Sequence, residues 1–79
     1  MSYYAYVLLS KNTGRYYKGH CSDLDKRLKE HNMGKTKATK LFRPWEIVYY
    51  EVFETLSEAI NREKYFKTAA GRRYLKDKI

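Results

Sequence analysis

The chain has 79 residues and a formal charge of +8, from 17 Lys and Arg against 9 Asp and Glu. That length allows one small domain, residues 1–79, with a thin core. The lone Cys21 excludes an internal disulfide framework and points to a reducing cytoplasm, while zinc-finger spacing, an export leader and a membrane-length apolar run are all lacking.

Nine tyrosines, three phenylalanines and one tryptophan supply bulk for the core. Not all nine tyrosines can be interior, because each buried hydroxyl needs a partner. The excess of cations predicts attraction to a polyanion, with nucleic acid first. A membrane surface is disfavoured, because no basic amphipathic helix has a large apolar face.

Tyr3 to Leu9 is rich in β-formers and apolar on both faces, as a central strand would be. Ser10-Lys-Asn-Thr-Gly14 is a turn signal, and Arg15 to Lys18 reads as a second strand, so the two segments form a hairpin that brings Tyr6 near Tyr17. Gly19 is read as a bend between that strand and a helix. Ser22 fits the helix N-cap, with Asp25 three residues on as in a capping box. The helix spans about Asp23 to Asn32, with Asn32 or Gly34 near its end. Leu24 and Leu28 face a core, and Arg27 and His31 border that stripe. On spacing alone, an ordinary solvated boundary is an equal reading of Arg27 and His31.

Lys35 to Arg43 is a basic loop carrying Lys35, Lys37, Lys40 and Arg43 with no acid between them. Thr36 and Thr39 add hydroxyls able to donate to phosphate. A solvated mobile loop is the bland alternative; the density of cations favours phosphate contact. Pro44 ends the loop, and Trp45 to Phe53 is the strongest strand, completing a three-stranded sheet. Thr55-Leu-Ser-Glu58 is a second capping box for a helix from about Leu56 to Ala69. On its wheel Leu56, Ala59, Ile60, Phe66 and Ala70 share one side, with Glu63 in their midst. A carboxylate there must snorkel, pair with a cation such as Arg27, or hold a metal. Gly71 is read as the helix stop, and Arg72 to Ile79 as a short helix or frayed end whose Arg72, Arg73, Lys76 and Lys78 form a second basic cluster.

Tyr6, Tyr17-Lys18-Gly19, Arg27, His31 and Glu63, in that order and spacing, resemble the GIY-YIG nuclease family, in particular its small single-domain excinuclease-like bacterial members. Asp23-Leu24 through Arg27-Leu28 to His31-Asn32, then Arg43-Pro44-Trp45 and Arg62-Glu63-Lys64, extend the resemblance over nearly the whole chain. The first family half is Ala5-Tyr6-Val7 here, and Lys18 replaces the usual apolar residue of the second half, where it is expected to point away from the core.

The resemblance implies an α+β fold, a small three-stranded antiparallel sheet flanked by helices in the order β-β-α-β-α-α. It implies phosphodiester hydrolysis with Mg²⁺ or Mn²⁺ held by Glu63 as the one protein ligand. Arg27 would stabilise charge on phosphorus, and Tyr6 would act as general base or orient the water, with the phenolate favoured by nearby cations or the metal. Tyr17 would position the water or phosphate, His31 would hydrogen-bond in the cluster, and Gly19 would be structural. The expected partner is DNA, with RNA, a protein partner and a homodimer left open, and repair or recombination the expected setting. The nucleic-acid contacts would come from Lys35, Lys37, Lys40, Arg43, Arg72 and Arg73. The other reading is a non-catalytic nucleic-acid-binding module on the same scaffold.

Overall fold

The computed structural model describes residues 1–79. Strand β1, Tyr3–Ser10, lies between β2, Tyr16–Cys21, and β3, Trp45–Phe53, in an antiparallel sheet of order β2-β1-β3. A strand apolar on both faces needs cover on both, and β1 has it. Ala5 and Val7 face helices α2, Leu56–Phe66, and α3, Ala69–Lys76, where Phe66 and Leu75 complete a core. Tyr6 and Leu8 face helix α1, Leu24–Asn32, with Trp45, Tyr17, Leu24, Leu28 and Ile47 around them. Each fully buried large side chain contributes about 1.5–3 kcal/mol, so two such layers are thin but sufficient for a chain this short.

One irregularity places the β3 side chains. Val7 pairs with Tyr49 but Leu8 pairs with Ile47, so Val48 is an extra residue on β3. Without this bulge, Trp45 and Tyr49 would share a face, because strand side chains alternate. With it, Trp45 and Ile47 pack on the α1 side while Tyr49 and Phe53 pack on the α2 side.

Several local expectations are corrected. Gly19 is not a bend. It sits inside β2 opposite Tyr6, and a Cβ there would lie 2.5 Å from the Tyr6 hydroxyl, so its missing side chain makes room for that group. Asp23, not Ser22, caps α1. β2 runs on through Cys21, Asp23 has the extended cap backbone, and its carboxylate accepts from the Lys26 N–H at 3.1 Å. Lys18 does not point away from the core. It pairs with Val7 and lies half-buried on the same face, towards α3.

The Thr55 capping box is present, with reciprocal bonds between Thr55 and Glu58. However, α2 ends at Phe66, because Thr68 caps a new helix by accepting from the Gly71 N–H at 3.0 Å. Ala70 then falls in α3 and is exposed, and Leu56, in the first turn of α2, is exposed too, so neither joins a continuous apolar stripe. Gly71 does not stop a helix. It is buried inside α3, where a Cβ would collide with the Tyr65 carbonyl, so it permits close approach of α3 to the end of α2.

Arg62 lies against the rings of Tyr65, Phe66 and Tyr74 and bonds Glu51 at 2.7 Å. Glu51 also accepts from the Tyr49 and Tyr74 hydroxyls. Burial pushes the Glu51 carboxyl up, but these bonds outweigh it and hold the group below the usual carboxylate range. Arg62 therefore fastens α2 to β3 and α3.

Candidate active site

The site begins with residue alternation on β1 and β2. Tyr6 pairs with Gly19 and Tyr17 with Leu8, so both tyrosines face α1. One turn separates Arg27 and His31 on α1, which places both over that face. Tyr6 is 1% exposed and its hydroxyl lies 2.9 Å from His31 Nε2. The Tyr17 ring stands edge-on to the His31 ring, with centroids 5.1 Å apart.

His31 is itself 1% exposed, and its Nδ1 lies 2.8 Å from the Thr39 hydroxyl. Thr39 donates its own proton to the Thr36 carbonyl. One ring nitrogen donates and the other accepts, so Tyr6 and Thr39 together fix the ring in a single tautomer. Burial, then the charge of Arg27, lowers the His31 pKa and keeps the ring neutral. The result is a buried chain running from Tyr6 through His31 to Thr39.

Thr39 was expected to offer its hydroxyl to phosphate. It is instead fully buried, and its carbonyl accepts from the Trp45 indole at 2.9 Å. Asn32 grips the Trp45 backbone twice, accepting from its N–H at 2.6 Å and donating to its carbonyl at 3.1 Å. The basic segment is thus pinned at its middle and followed by a clamp. Lys35, Lys37, Lys40 and Arg43 stay exposed around it, and Arg43 Nε bonds the Lys40 carbonyl at 2.7 Å.

Arg27 lies beside the Tyr6 hydroxyl, and its Nη1 bonds Glu30 at 3.2 Å. The Tyr6 contact raises the Arg27 pKa, burial opposes it, and Glu30 adds to the rise, so the cation is permanent. Arg27 Nε is buried with no partner. The rest of the guanidinium is nearly half exposed, and its solvent-facing side can donate to an oxyanion in the adjoining cleft. That cleft, about 300 Å³, is lined by Arg27 with His20, Cys21, Asp23, Lys26 and Glu30. Burial pushes the Cys21 thiol up, which leaves it protonated and unreactive.

Tyr6 departs from expectation. Burial drives its pKa far up, and Arg27 offsets only part of this, so the hydroxyl is neutral and not poised as phenolate.

Glu63 stands apart from this network. His20 pairs with Ala5, which places it on the α2 face, and there its Nδ1 meets Glu63 Oε1 at 2.6 Å. Lys67 Nζ meets Oε2 at 2.7 Å. Burial would raise the Glu63 pKa, but the bonds from Lys67 and His20 prevail and keep it ionised. The expected acid at the floor of a tyrosine pocket is therefore an acid on the other sheet face, paired with neither Arg27 nor a tyrosine. His20 connects the two parts, since it bonds Glu63 and also lines the Arg27 cleft. The residue reading missed His20, although period-two alternation from Lys18 would have placed it on the Glu63 side. Arg72 and Arg73 lie exposed on α3.

A family model described as the GIY-YIG catalytic domain matches residues 2–75. The chain belongs to the GIY-YIG family. A UPF0213 protein of Staphylococcus saprophyticus is 41% identical over 75 residues, covering 94% of this chain and 90% of that protein. The UPF0213 protein YazA of Bacillus subtilis is 43% identical over 67 residues, covering 84% of this chain and 67% of YazA. The solution NMR structure of a UPF0213 protein from Bacillus halodurans matches with a TM-score of 0.57 at 31% identity, covering 98% of this chain and 84% of that one. The α+β arrangement read from the sequence is thus the arrangement found. GIY-YIG domains are nuclease domains and generally depend on a divalent metal. No helix here is long and apolar enough to cross a membrane.

No group of three His, Cys, Asp or Glu side chains stands ready to enclose a metal. The donor set fits a cation that keeps most of its water. Glu63 is an ionised carboxylate, and Lys67 on its Oε2 is a half-exposed side chain that such a cation can displace.

Proposed function

We propose that this protein is a metal-dependent endonuclease that hydrolyses DNA phosphodiester bonds, choosing targets by structure more than by base sequence, in DNA repair or recombination. The observation that carries this reading is the buried Tyr6–His31–Thr39 chain with the Arg27 guanidinium beside the Tyr6 hydroxyl and lining the adjoining cleft. Such a chain can move a proton, because it joins a neutral hydroxyl to a neutral imidazole whose two nitrogens are both hydrogen-bonded.

In this reading Tyr6 relays a proton. Its oxygen takes the proton of the attacking water while its own proton passes to His31 Nε2, and His31 becomes the imidazolium. Thr39 fixes the ring for that exchange. Arg27 donates to the non-bridging oxygens as negative charge grows on the phosphoryl group. Tyr17, whose hydroxyl bonds no other side chain, orients the water or the phosphate. Glu63 would hold Mg²⁺ or Mn²⁺, which supplies charge neutralisation at the leaving oxygen. Lys35, Lys37, Lys40 and Arg43 beside α1, with Arg72 and Arg73 on α3, would hold backbone phosphates without reading bases.

The test is nicking of plasmid, flapped and branched DNA with Mg²⁺ or Mn²⁺. Wild type should cut, while Tyr6→Phe and Arg27→Ala should not. A wild type inert on every substrate, RNA included, would reject the reading. One observation favours the second reading, a non-catalytic binding module: both Glu63 oxygens are already taken by His20 and Lys67. That reading expects salt-sensitive binding that survives Glu63→Ala.

A further inference from the structure

A second concavity lies on the opposite side of the sheet from Tyr6. Lys18, Arg72 and Lys76 rim a pocket of about 360 Å³, and Val7, Tyr16 and Leu75 line it. Its volume falls at the small end of ligand sites, which run from roughly 300 Å³ upward. None of the three cations is in an ion pair. Burial lowers the Lys18 pKa, and the charges of Arg72 and Lys67 lower it further. Glu63, the acid bonded to Lys67, is already occupied by that lysine and His20. Three unneutralised cations therefore surround a largely apolar floor.

A ligand suited to this has an anionic end and a flat apolar body, which is the make-up of a nucleotide. Location narrows the choice. Lys18 and His20 are alternate residues of β2, on one face and about 7 Å apart. His20 bonds Glu63, so a strand lying at Glu63 reaches the pocket within a nucleotide or two. We propose that the pocket takes one unpaired nucleotide of the substrate strand, its phosphate between Lys18 and Arg72 and its base against Tyr16, Val7 and Leu75. A base held in a duplex stack cannot enter without being extruded, at a cost of a few kcal/mol. The pocket thereby selects flaps, gaps and branches. The identity of the strand rests on the nucleic-acid reading above.

The experiment measures binding of a fluorescent flapped DNA and a fully paired duplex of equal length by anisotropy, in EDTA so that cleavage plays no part. Tyr16→Ala changes no charge and removes a half-exposed ring. It should weaken flap binding at least fivefold and change duplex binding less than twofold. Arg72→Ala should weaken flap binding tenfold or more, well beyond the loss caused by Lys64→Ala, an equal change of charge at an exposed position. Circular dichroism melts confirm that each variant is folded. Equal losses on both DNAs, or no loss with Tyr16→Ala, overturn the proposal. Displacement of the flap by millimolar nucleoside monophosphate with duplex binding unaffected supports it, since the free nucleotide competes for the same pocket. A wild type that prefers flaps but never cuts DNA rejects the nuclease reading and leaves the pocket standing.

Discussion

Tyr6 and His31, 25 residues apart in sequence, share a buried hydrogen bond of 2.9 Å. It joins the central strand to α1, where burial, first of all, keeps both groups neutral. Replacing Tyr6 by Phe keeps the ring and leaves His31 Nε2 without a partner. Stability should fall by about 1–2 kcal/mol in urea melts. Nicking should fall at least ~100-fold, the ordinary worth of a positioned proton-transfer group. Nicking within threefold of wild type would remove Tyr6 from the chemistry.

Gly19→Ala tests the space that this hydroxyl occupies. The new Cβ would meet the Tyr6 oxygen at 2.5 Å, with the strand backbone on one side and His31 on the other. Overpacking of this kind costs about 1–3 kcal/mol. The Tyr6–His31 bond should be broken as well, so activity should drop further than the melting temperature suggests. A crystal structure or NMR shifts of the His31 ring would read the displacement directly.

Acid should destabilise the fold in two steps. His31 has its folded pKa lowered below an ordinary value near 6.5, so protonation favours the unfolded chain. Its contribution is complete above pH ~6.5 and is lost as pH falls towards the folded value, with a slope of at most about 1.4 kcal/mol per pH unit. Glu51 and Glu63 are also lowered, from an ordinary carboxylate value near ~4.3, so their contributions fade only below that pH. Thermal melts from pH 8 to 3 should show both regions, and His31→Asn should flatten the upper one.

Arg62→Ala should destabilise without touching the candidate site. It would leave Glu51 partly buried with only two tyrosine donors and strip a cation from three aromatic rings. Because both partners keep some solvent contact, the expected cost is about 2–3 kcal/mol, below the range for a fully buried pair. Denaturant unfolding measures this, and a loss under ~0.5 kcal/mol would place the pair among weak surface bridges.

Lys67 should compete with metal for Glu63. In Lys67→Ala the carboxylate keeps only its His20 bond, so Mg²⁺ should raise the melting temperature more than it does in wild type. Glu63→Gln should abolish the response in both backgrounds. A Mg²⁺ shift that persists in Glu63→Gln would locate the ion elsewhere.

Most elements were open to local reasoning. Trp45 to Phe53 is a strand because β-branched and aromatic residues fill it, and Pro44 stands at its start. Thr55 and Glu58 satisfy each other's backbone N–H, an interaction complete within four residues. The α1 cap was misplaced by one residue because Ser22 and Asp23 are both capable, and the choice depends on where β2 releases the chain. The break between α2 and α3 falls at Lys67–Thr68, a few residues before the Gly71 stop read from the sequence, because Thr68 and Gly71 act through the carbonyl end of α2, which a helical wheel does not represent.

What the amino-acid order determined by itself was everything carried by neighbours along the chain: three strands, capped helices, and Arg27 one turn from His31. What tertiary structure alone decided was which distant groups meet. The Val48 bulge turns Trp45 to the α1 side, where its indole holds Thr39 and Thr39 in turn orients His31. Glu63 finds His20 across 43 residues, on the opposite face from Tyr6. A one-residue change of register reverses every side chain beyond it, and such a shift is settled by the packing of both faces at once.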